Sequence, residues 1–467
     1  MMDEANGRAA AQVSNLQFLA LAVFIVVIFA AAQFDPSMVS AVGYHAVAEP
    51  LDVGIDTKET GLLGRRLALP VLAAIASLWL FWRGKRSVRL QHGLLGGLLL
   101  AALAWSLASV FWAHEPSFAT RKITVLLCLW TGALWIAALV PMNRMPEFTA
   151  LTVLPFLVLG VAGEAYAGAL RPFDSGYRFA GFFHPNTTGQ YLAFGVLAST
   201  MLAVASRRRA LPTFCLVVFA SFLYLSKSRT SLFGVLVGLS AIGVLTGLLT
   251  GLSSRRAAFR LIMVAGIVII IACSAYIVAG DHLTQGLTDW LAMGRDPGEL
   301  GTLTNRTLTW SELLGRYVSQ RPFTGYGYGA FWTTQHMVAM SLLNPGDATF
   351  QSHSGYLELV LSVGIIGAAL HVGYMMLGTL VAIREYLRSR NIGSVFGFGA
   401  LVMSLTLMLT ETVNFDVSLP AFLPMIVIAR FALVAGSARP MPWSPGDRSV
   451  GERYPTHQEL ARDQSSR

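Results

Sequence analysis

The chain has 467 residues, of which 54% are hydrophobic and 13% are charged. This composition excludes an ordinary soluble globular protein, in which about a quarter of the residues are charged. Apolar runs of about 20 residues, the length that crosses a bilayer, recur along the chain. The formal net charge is +9. The basic residues form short clusters between apolar runs, which is typical of cytoplasmic loops and not of a nucleic-acid-binding face.

The apolar runs predict an all-α polytopic membrane protein with about twelve transmembrane helices. In chain order the predicted spans cover residues 16–33, 67–82, 91–112, 123–141, 149–169, 188–206, 211–226, 231–251, 259–280, 354–382, 395–412 and 418–437. Cys128, Cys215 and Cys273 lie inside these runs. We therefore expect them to be buried apolar side chains and not metal ligands or disulfide partners.

Clusters of Lys and Arg in alternate loops set the predicted orientation. They lie at residues 83–89, 207–209, 255–260 and 384–390. The positive-inside rule places these loops, and both chain termini, in the cytoplasm. The predicted organisation is transmembrane helices 1–9 in residues 1–280, a large periplasmic loop at 281–353, helices 10–12 in residues 354–437, and a disordered cytoplasmic tail at 438–467.

The predicted loop at 281–353 is rich in Arg, Gly and aromatic residues, unlike the usual composition of a flexible connector. Arg306 and Arg321 supply cations suited to phosphate groups. Tyr326 and Tyr328, within a Gly-Tyr-Gly-Tyr-Gly sequence, supply ring faces suited to stacking on sugars. Packing of these aromatic residues on the helical bundle is the alternative.

Two shorter polar turns are predicted on the same side of the membrane. Arg178 precedes the His-Pro-Asn-Thr-Thr sequence at 184–188, and Arg229 lies in the Ser-Lys-Ser-Arg-Thr-Ser sequence at 226–231. A guanidinium group presents planar donors that match a phosphate or a carboxylate. The alternatives are a headgroup-level anchor for the arginines and a helix cap for Asn186.

His353 stands directly before the predicted tenth span and is the first candidate for a general base. A structural histidine at a helix start is the alternative reading. Other histidines predicted on the same face are His184, His282 and His336. Glu358 and Glu411 lie near helix ends on that face, where they are expected to orient a base or pair with an arginine.

In their order along the chain, these stretches resemble the O-antigen ligase and Wzy polymerase superfamily of bacterial envelope enzymes. The residues that carry the resemblance are Trp105-Ser106, Arg121, Arg178 to Asn186, Ser228-Arg229-Thr230, Arg306 to Trp310, Arg321 to Gly329 and His353 to Gly367. Within the superfamily, Gly294-Arg295-Asp296 and residues 302–332 look most like exopolysaccharide polymerases of the ExoQ type. Ser354 departs from the Asn that often follows the histidine.

The resemblance implies a metal-independent membrane glycosyltransferase with a GT-C-like bundle and no cofactor. It implies an undecaprenyl-diphosphate-linked oligosaccharide as donor, and a lipid-linked saccharide or lipid A core as acceptor. Arg178 and Arg229 would hold the diphosphate and His353 would activate the acceptor hydroxyl. The remaining substrate-binding residues would be Asn186, Arg306, Arg321, Tyr326, Tyr328 and Glu358.

The implied setting is the bacterial inner membrane, with the active site facing the periplasm. Partners would be membrane lipids and other polysaccharide assembly proteins, such as a flippase or a chain-length regulator, and not nucleic acid. Polymerisation of lipid-linked units is the first interpretation. The alternatives are an O-antigen ligase, a protein O-oligosaccharyltransferase and, from another class, a secondary transporter. The gathering of arginines on one face, without two related halves, favours an enzyme over a transporter.

Overall fold

The computed structural model describes residues 14–33, 63–87, 90–174, 176–253, 306–342, 351–413 and 417–433. The regular secondary structure in these ranges is helical. The predicted ninth span at 259–280, residues 281–305 and 343–350 of the predicted loop, and the tail at 438–467 lie outside the described residues. Cys273 and His282 lie outside them as well.

The helices of the described ranges, numbered in chain order, are α1 (Asn15–Gln33), α2 (Leu63–Ser87), α3 (Gly93–Ala108), α4 (Pro116–Leu139), α5 (Met145–Tyr166), α6 (Pro185–Ala205), α7 (Ala210–Leu225), α8 (Arg229–Ser253), α9 (Arg306–Glu312), α10 (Thr334–Ser341), α11 (Gly355–Ser389), α12 (Ile392–Leu407) and α13 (Leu419–Leu433). A π-helical turn, Leu313–Tyr317, follows α9, and short 3-10 turns extend α3 and precede α5.

Eight of the described helices are long and apolar enough to cross a membrane. They are α1 to α6, α8 and α11, and the shorter apolar helices α7, α12 and α13 accompany them. This confirms a polytopic helical membrane protein. The number of twelve spans stays a prediction, because the predicted ninth lies outside the described residues.

Helix α6 lies inside the bundle and packs against α5, α7, α8 and α12. Buried residues make up 72% of its apolar stretch, compared with 22% for α2 and 28% for α8. The amino end of α6 is therefore held from several directions, and the segment that carries Arg178 precedes it.

Helix α11 is broken at Gly364, whose φ of 69° and ψ of −179° are not helical. The residues at 321–329, which we call the docked segment, lie against this break. Three backbone hydrogen bonds run from Ile365 N to Pro322 O (2.8 Å), from Tyr326 N to Leu361 O (2.8 Å) and from Gly327 N to Ser362 O (2.9 Å). They replace backbone bonds that an unbroken helix would make within itself.

Two indole groups hold the docked segment and the break from the other side. Trp105 Nε1 donates to Val363 O at 2.9 Å, and Trp112 Nε1 donates to Thr324 O at 2.9 Å. Both tryptophans lie near the end of α3, far from their acceptors in sequence. The same end of the bundle carries the ends of α5 and α7 and the starts of α6, α8 and α11; we call it the site end.

We expect Gly364→Ala to lower the free energy of unfolding by roughly 3 kcal/mol, because its conformation is almost confined to glycine. An added Cβ would also lie 2.1 Å from the backbone of Phe323. Gly373→Ala, in the same helix, is the matched control, since the nearest atom to its Cβ would be 3.6 Å away. Thermal unfolding of the purified variants in detergent measures both effects. Equal unfolding temperatures for the two variants would contradict the role given to the break.

Candidate active site at the site end of the bundle

Glu411, in the turn after α12, is a buried carboxylate with 5% of its surface exposed. Its Oε1 accepts a hydrogen bond from Asn186 Nδ2 at 3.1 Å and lies 3.5 Å from Arg306 Nη2. Arg306 also donates Nη1 to Thr410 O at 2.6 Å. The carboxylate thereby joins the start of α6, the start of α9 and the turn after α12.

Arg178 enters the same network through Asn186. Its Nη2 donates to Asn186 Oδ1 at 3.1 Å, and its Nε donates to Ser226 O at 3.3 Å. The amide of Asn186 therefore has its oxygen toward a cation and its nitrogen toward a carboxylate, as their charges require. This arrangement fixes Arg178 beside the turn between α7 and α8.

Arg229 is the first residue of α8 and lies next to the network. The hydroxyl of the neighbouring Thr230 accepts a hydrogen bond from Thr410 Oγ1 at 3.3 Å. The Arg229 side chain is half-buried, and no described residue shares a hydrogen bond or ion pair with it. The amino terminus of a helix adds partial positive charge at this place.

His353 lies in the turn before α11 with a positive φ of 53°, a conformation that is uncommon for a residue with a side chain. The preceding residue, Ser352, is held on both sides of its backbone. Trp310 Nε1 donates to Ser352 O at 2.6 Å, and Ser352 N donates to Glu358 Oε1 at 2.8 Å. Backbone strain of this kind is often found at functional sites.

The residue after the histidine begins the helix. Ser354 caps α11 by accepting a hydrogen bond from Leu357 N at 3.4 Å, and Asn would serve equally well as a cap. Gly355 N donates to Glu411 O at 3.0 Å. The turn that carries His353 is thus tied to the same carboxylate residue that organises Arg306 and Asn186.

The structure gives Glu358 a supporting position. The side chain is 4% exposed, and its Oε1 accepts from Ser352 N and from Trp332 Nε1 at 2.7 Å. It orients the turn of His353 and does not face open space for a substrate. Glu358 thus shapes the backbone before α11, and its contact with substrate stays a prediction.

The docked segment likewise packs on protein and does not form a sugar-stacking surface. Tyr326 and Tyr328 are 5% and 6% exposed. Arg321 donates Nη1 to Trp112 O at 3.1 Å and lies over the Tyr326 ring at 5.1 Å. A substrate role for Arg321, Tyr326 and Tyr328 stays a prediction. Gly325 brings the backbone of the docked segment against Gly364, whereas Gly327 and Gly329 lie against Ala113 and Lys122.

His184 and His336, the other described candidates for the general base, both make contacts that stabilise the fold. His336 stacks on Phe331, with ring centroids 4.6 Å apart, and burial lowers its pKa. His184 is the cap of α6: its Nδ1 accepts from Asn186 N at 3.2 Å. The capping role considered for Asn186 therefore falls to His184, which leaves the Asn186 amide for Arg178 and Glu411.

Sequence reasoning missed Glu164, near the end of α5. This carboxylate is 0% exposed and contacts the segment that carries Arg178. A signal was present, because a single acidic residue near the end of an apolar helix is costly unless it is paired.

Among the described residues, Arg306 contacts the Glu411 carboxylate, Arg178 joins it through Asn186, and Arg229 lies beside Thr230, so cations outnumber the carboxylate of this network. A site of this kind suits an anionic group with several acceptor oxygens. Within the described ranges no three or more His, Cys, Asp or Glu residues are grouped so that they would hold a metal ion.

The fold and this site define a polytopic helical membrane protein with a cation-rich site at one end of its bundle. Residues 214–372, about a third of the chain, match the Wzy_C family, described as O-antigen ligase. A search of curated proteins found no significant match. The family match supports a membrane enzyme of polysaccharide assembly in the O-antigen ligase and Wzy superfamily. It does not reach the narrower ExoQ type.

The matched region runs from α7 into α11. It contains Arg229, Arg306 and His353, whereas Arg178 and Glu411 lie outside it. Asn186 and Glu411, which lie outside the matched region, contact each other, and Glu411 contacts Arg306 inside it.

We expect Glu411→Ala to lower the free energy of unfolding by about 3 kcal/mol, because removing one partner leaves Arg306 a poorly compensated, largely buried cation. The matched control is Glu312→Ala, which breaks an exposed helical ion pair with Arg316 at 3.2 Å and should cost less than about 1 kcal/mol. Thermal and denaturant unfolding in detergent compare the two variants. A larger loss in the control would contradict the central position of Glu411.

Proposed function

We propose that this protein is a membrane glycosyltransferase that polymerises or transfers undecaprenyl-diphosphate-linked saccharide units at the periplasmic face, for surface polysaccharide assembly. The observation that carries the proposal is the network in which Asn186 and Glu411 hold Arg178 and Arg306 beside Arg229 and the turn of His353. The Wzy_C match over residues 214–372 supports the same reading.

Arg178 and Arg229 hold the diphosphate of the lipid-linked donor. One of them lies on each side of the turn between α7 and α8, where Arg178 contacts Ser226 O and Arg229 begins the next helix. Negative charge increases on the diphosphate as the bond to the sugar breaks. Fixed guanidinium groups therefore stabilise the transition state more than the bound donor.

His353 acts as the general base in a metal-independent reaction. It takes the proton from the acceptor hydroxyl as that oxygen bonds to the anomeric carbon of the donor sugar. The bond between this carbon and the diphosphate oxygen breaks, and undecaprenyl diphosphate leaves with the electron pair. The hydrogen bonds of Ser352 with Trp310 and Glu358 support this role. They fix the turn of His353, and a general base must be held in a fixed orientation toward the hydroxyl that it deprotonates.

Arg306 and Asn186 complete the donor site in this proposal. Arg306 keeps 16% of its side-chain surface exposed, and its contacts with Glu411 and Thr410 fix its orientation. Asn186 contacts Arg178 directly. The substrate roles first considered for Arg321, Tyr326, Tyr328 and Glu358 are not part of the proposal, because these groups pack within the protein.

The second candidate is an O-antigen ligase, which passes the glycan to a lipid A core sugar. The description of the matched family favours it, whereas the likeness of residues 302–332 to ExoQ-type polymerases favours polymerisation. Both reactions use the same donor site and differ in the acceptor. A protein O-oligosaccharyltransferase is a related alternative. A secondary transporter accounts less well for cations gathered at one end of the bundle.

The proposed orientation places the site end in the periplasm and both termini in the cytoplasm of a bacterial inner membrane. Arg207 and Arg388, from two of the basic clusters, are exposed at the opposite end of the helices. A basic excess at that end supports a cytoplasmic location for it.

Deletion of the gene in its host tests the reaction class. A polymerase predicts loss of high-mass surface glycan with accumulation of single lipid-linked repeat units. A ligase predicts long lipid-linked chains together with an unmodified lipid A core. Gel sizing of the glycan and mass spectrometry of the lipid-linked intermediates measure both. Unchanged glycan and unchanged intermediates would contradict a glycosyltransferase of either kind.

In the deletion strain, we expect Arg178→Ala, Arg229→Ala and His353→Ala to reach the membrane at normal levels and to restore no product. The two arginine variants should also lose affinity for the lipid-linked donor, whereas His353→Ala should retain it, because a base acts on the acceptor. Arg316→Ala removes an exposed cation at the site end and should restore product. Product from both arginine variants would contradict the proposal that Arg178 and Arg229 hold the diphosphate, which we call the diphosphate clamp. Turnover by His353→Ala would assign the role of general base to His184 or His336 instead.

A further inference from the structure

We propose that Glu164 is a positioning residue that holds Arg178 in the orientation required to bind the donor diphosphate. This inference rests on the proposed function. Its experiment is designed so that the failure of one can be told from the failure of the other.

The Glu164 carboxylate contacts the chain on both sides of Arg178. Its Oε1 accepts hydrogen bonds from Ala180 N and Gly181 N, each at 2.8 Å. Its Oε2 accepts from the Tyr177 hydroxyl at 2.5 Å. One side chain on α5 thus fixes the residue before Arg178 and two residues shortly after it.

The remaining groups of this segment are fixed as well. Phe179, directly after Arg178, is 0% exposed, and its N–H donates to Leu225 O at 2.9 Å. Gly181 adopts a φ of 63°, and an added Cβ there would lie 3.1 Å from Gly160 on α5. The backbone of the segment is therefore held against α5 and the end of α7, and the Arg178 side chain extends from a rigid base.

A carboxylate is the side chain that suits these donors. Two backbone N–H groups and a phenol converge on two acceptor oxygens, and hydrogen bonds to an ionised acceptor are stronger than neutral ones. Burial, followed by the hydrogen bond to Glu164, raises the pKa of Tyr177, so the phenol stays protonated and remains a donor. Loss of the carboxylate would leave both backbone N–H groups without this partner.

A purely structural role would make Glu164 important for stability alone, and a double-mutant cycle separates the two roles. The probe is farnesyl diphosphate, titrated calorimetrically into the purified full-length protein in detergent. We expect Glu164→Ala and Arg178→Ala each to weaken binding by about tenfold or more, a difference of about 1.4 kcal/mol. The double variant should bind no more weakly than Arg178→Ala alone, because positioning has no value without the arginine.

Two conservative variants keep the test informative if Glu164→Ala does not fold. Glu164→Gln retains a carbonyl oxygen for Ala180 N and Gly181 N and should bind within about threefold of the wild type. Tyr177→Phe removes only the phenol contact and should weaken binding by a smaller factor than Arg178→Ala. Glu147→Ala, which breaks an ion pair with Arg144 at the opposite end of α5, should leave the affinity unchanged.

The outcomes distinguish the two claims. Additive losses in the double variant, or wild-type affinity in Glu164→Ala and Tyr177→Phe while Arg178→Ala binds weakly, would overturn the positioning role alone. Equal binding by wild type and Arg178→Ala, or no binding by either, would overturn the diphosphate clamp and this inference with it. Unfolding temperatures without ligand show whether a change in affinity accompanies a change in stability.

Discussion

The interaction on which the site depends is the buried carboxylate of Glu411 between Asn186 and Arg306. An arginine at the end of an apolar bundle is stable only with a counter-charge or polar partners. The carboxylate supplies a counter-charge to Arg306 and orients the amide that contacts Arg178. Its backbone oxygen accepts from the first residue of α11. Arg306, Arg178 and the turn of His353 thus share one support.

A second constraint at the site end is the break in α11 at Gly364. The break in α11 exposes backbone groups that lipid cannot satisfy, and the docked segment together with Trp105 supplies the partners. The aromatic cluster around Phe331 and Tyr326 fills the space between them. The short first part of α11 therefore keeps a fixed direction, and with it the turn that carries His353. Glu164 fixes the Arg178 segment on the opposite side, so the candidate catalytic groups project from rigid backbone.

The sequence predicted the helical spans well, because apolar runs of membrane length are a strong signal. It also singled out Arg178, Arg229 and His353 as candidate site residues, and their catalytic roles stay predictions. It left open whether the Gly-Tyr-Gly-Tyr-Gly stretch packs on the bundle, and it did not predict that Glu164 faces the Arg178 segment. The stretch contacts residues up to 219 positions away, and no local pattern encodes such contacts. The capping role went to His184 and not to Asn186 because the helix begins at Pro185.

The most direct measurement is an experimental structure of the full-length protein with undecaprenyl diphosphate bound. The account predicts that the two phosphates lie between Arg178 and Arg229, next to the turn of Thr410 and Glu411, with His353 facing the position of the sugar. Phosphates bound elsewhere, for example beside Arg121 and Lys122 at the start of α4, with Arg178 still on Asn186 and distant from the lipid, would contradict it.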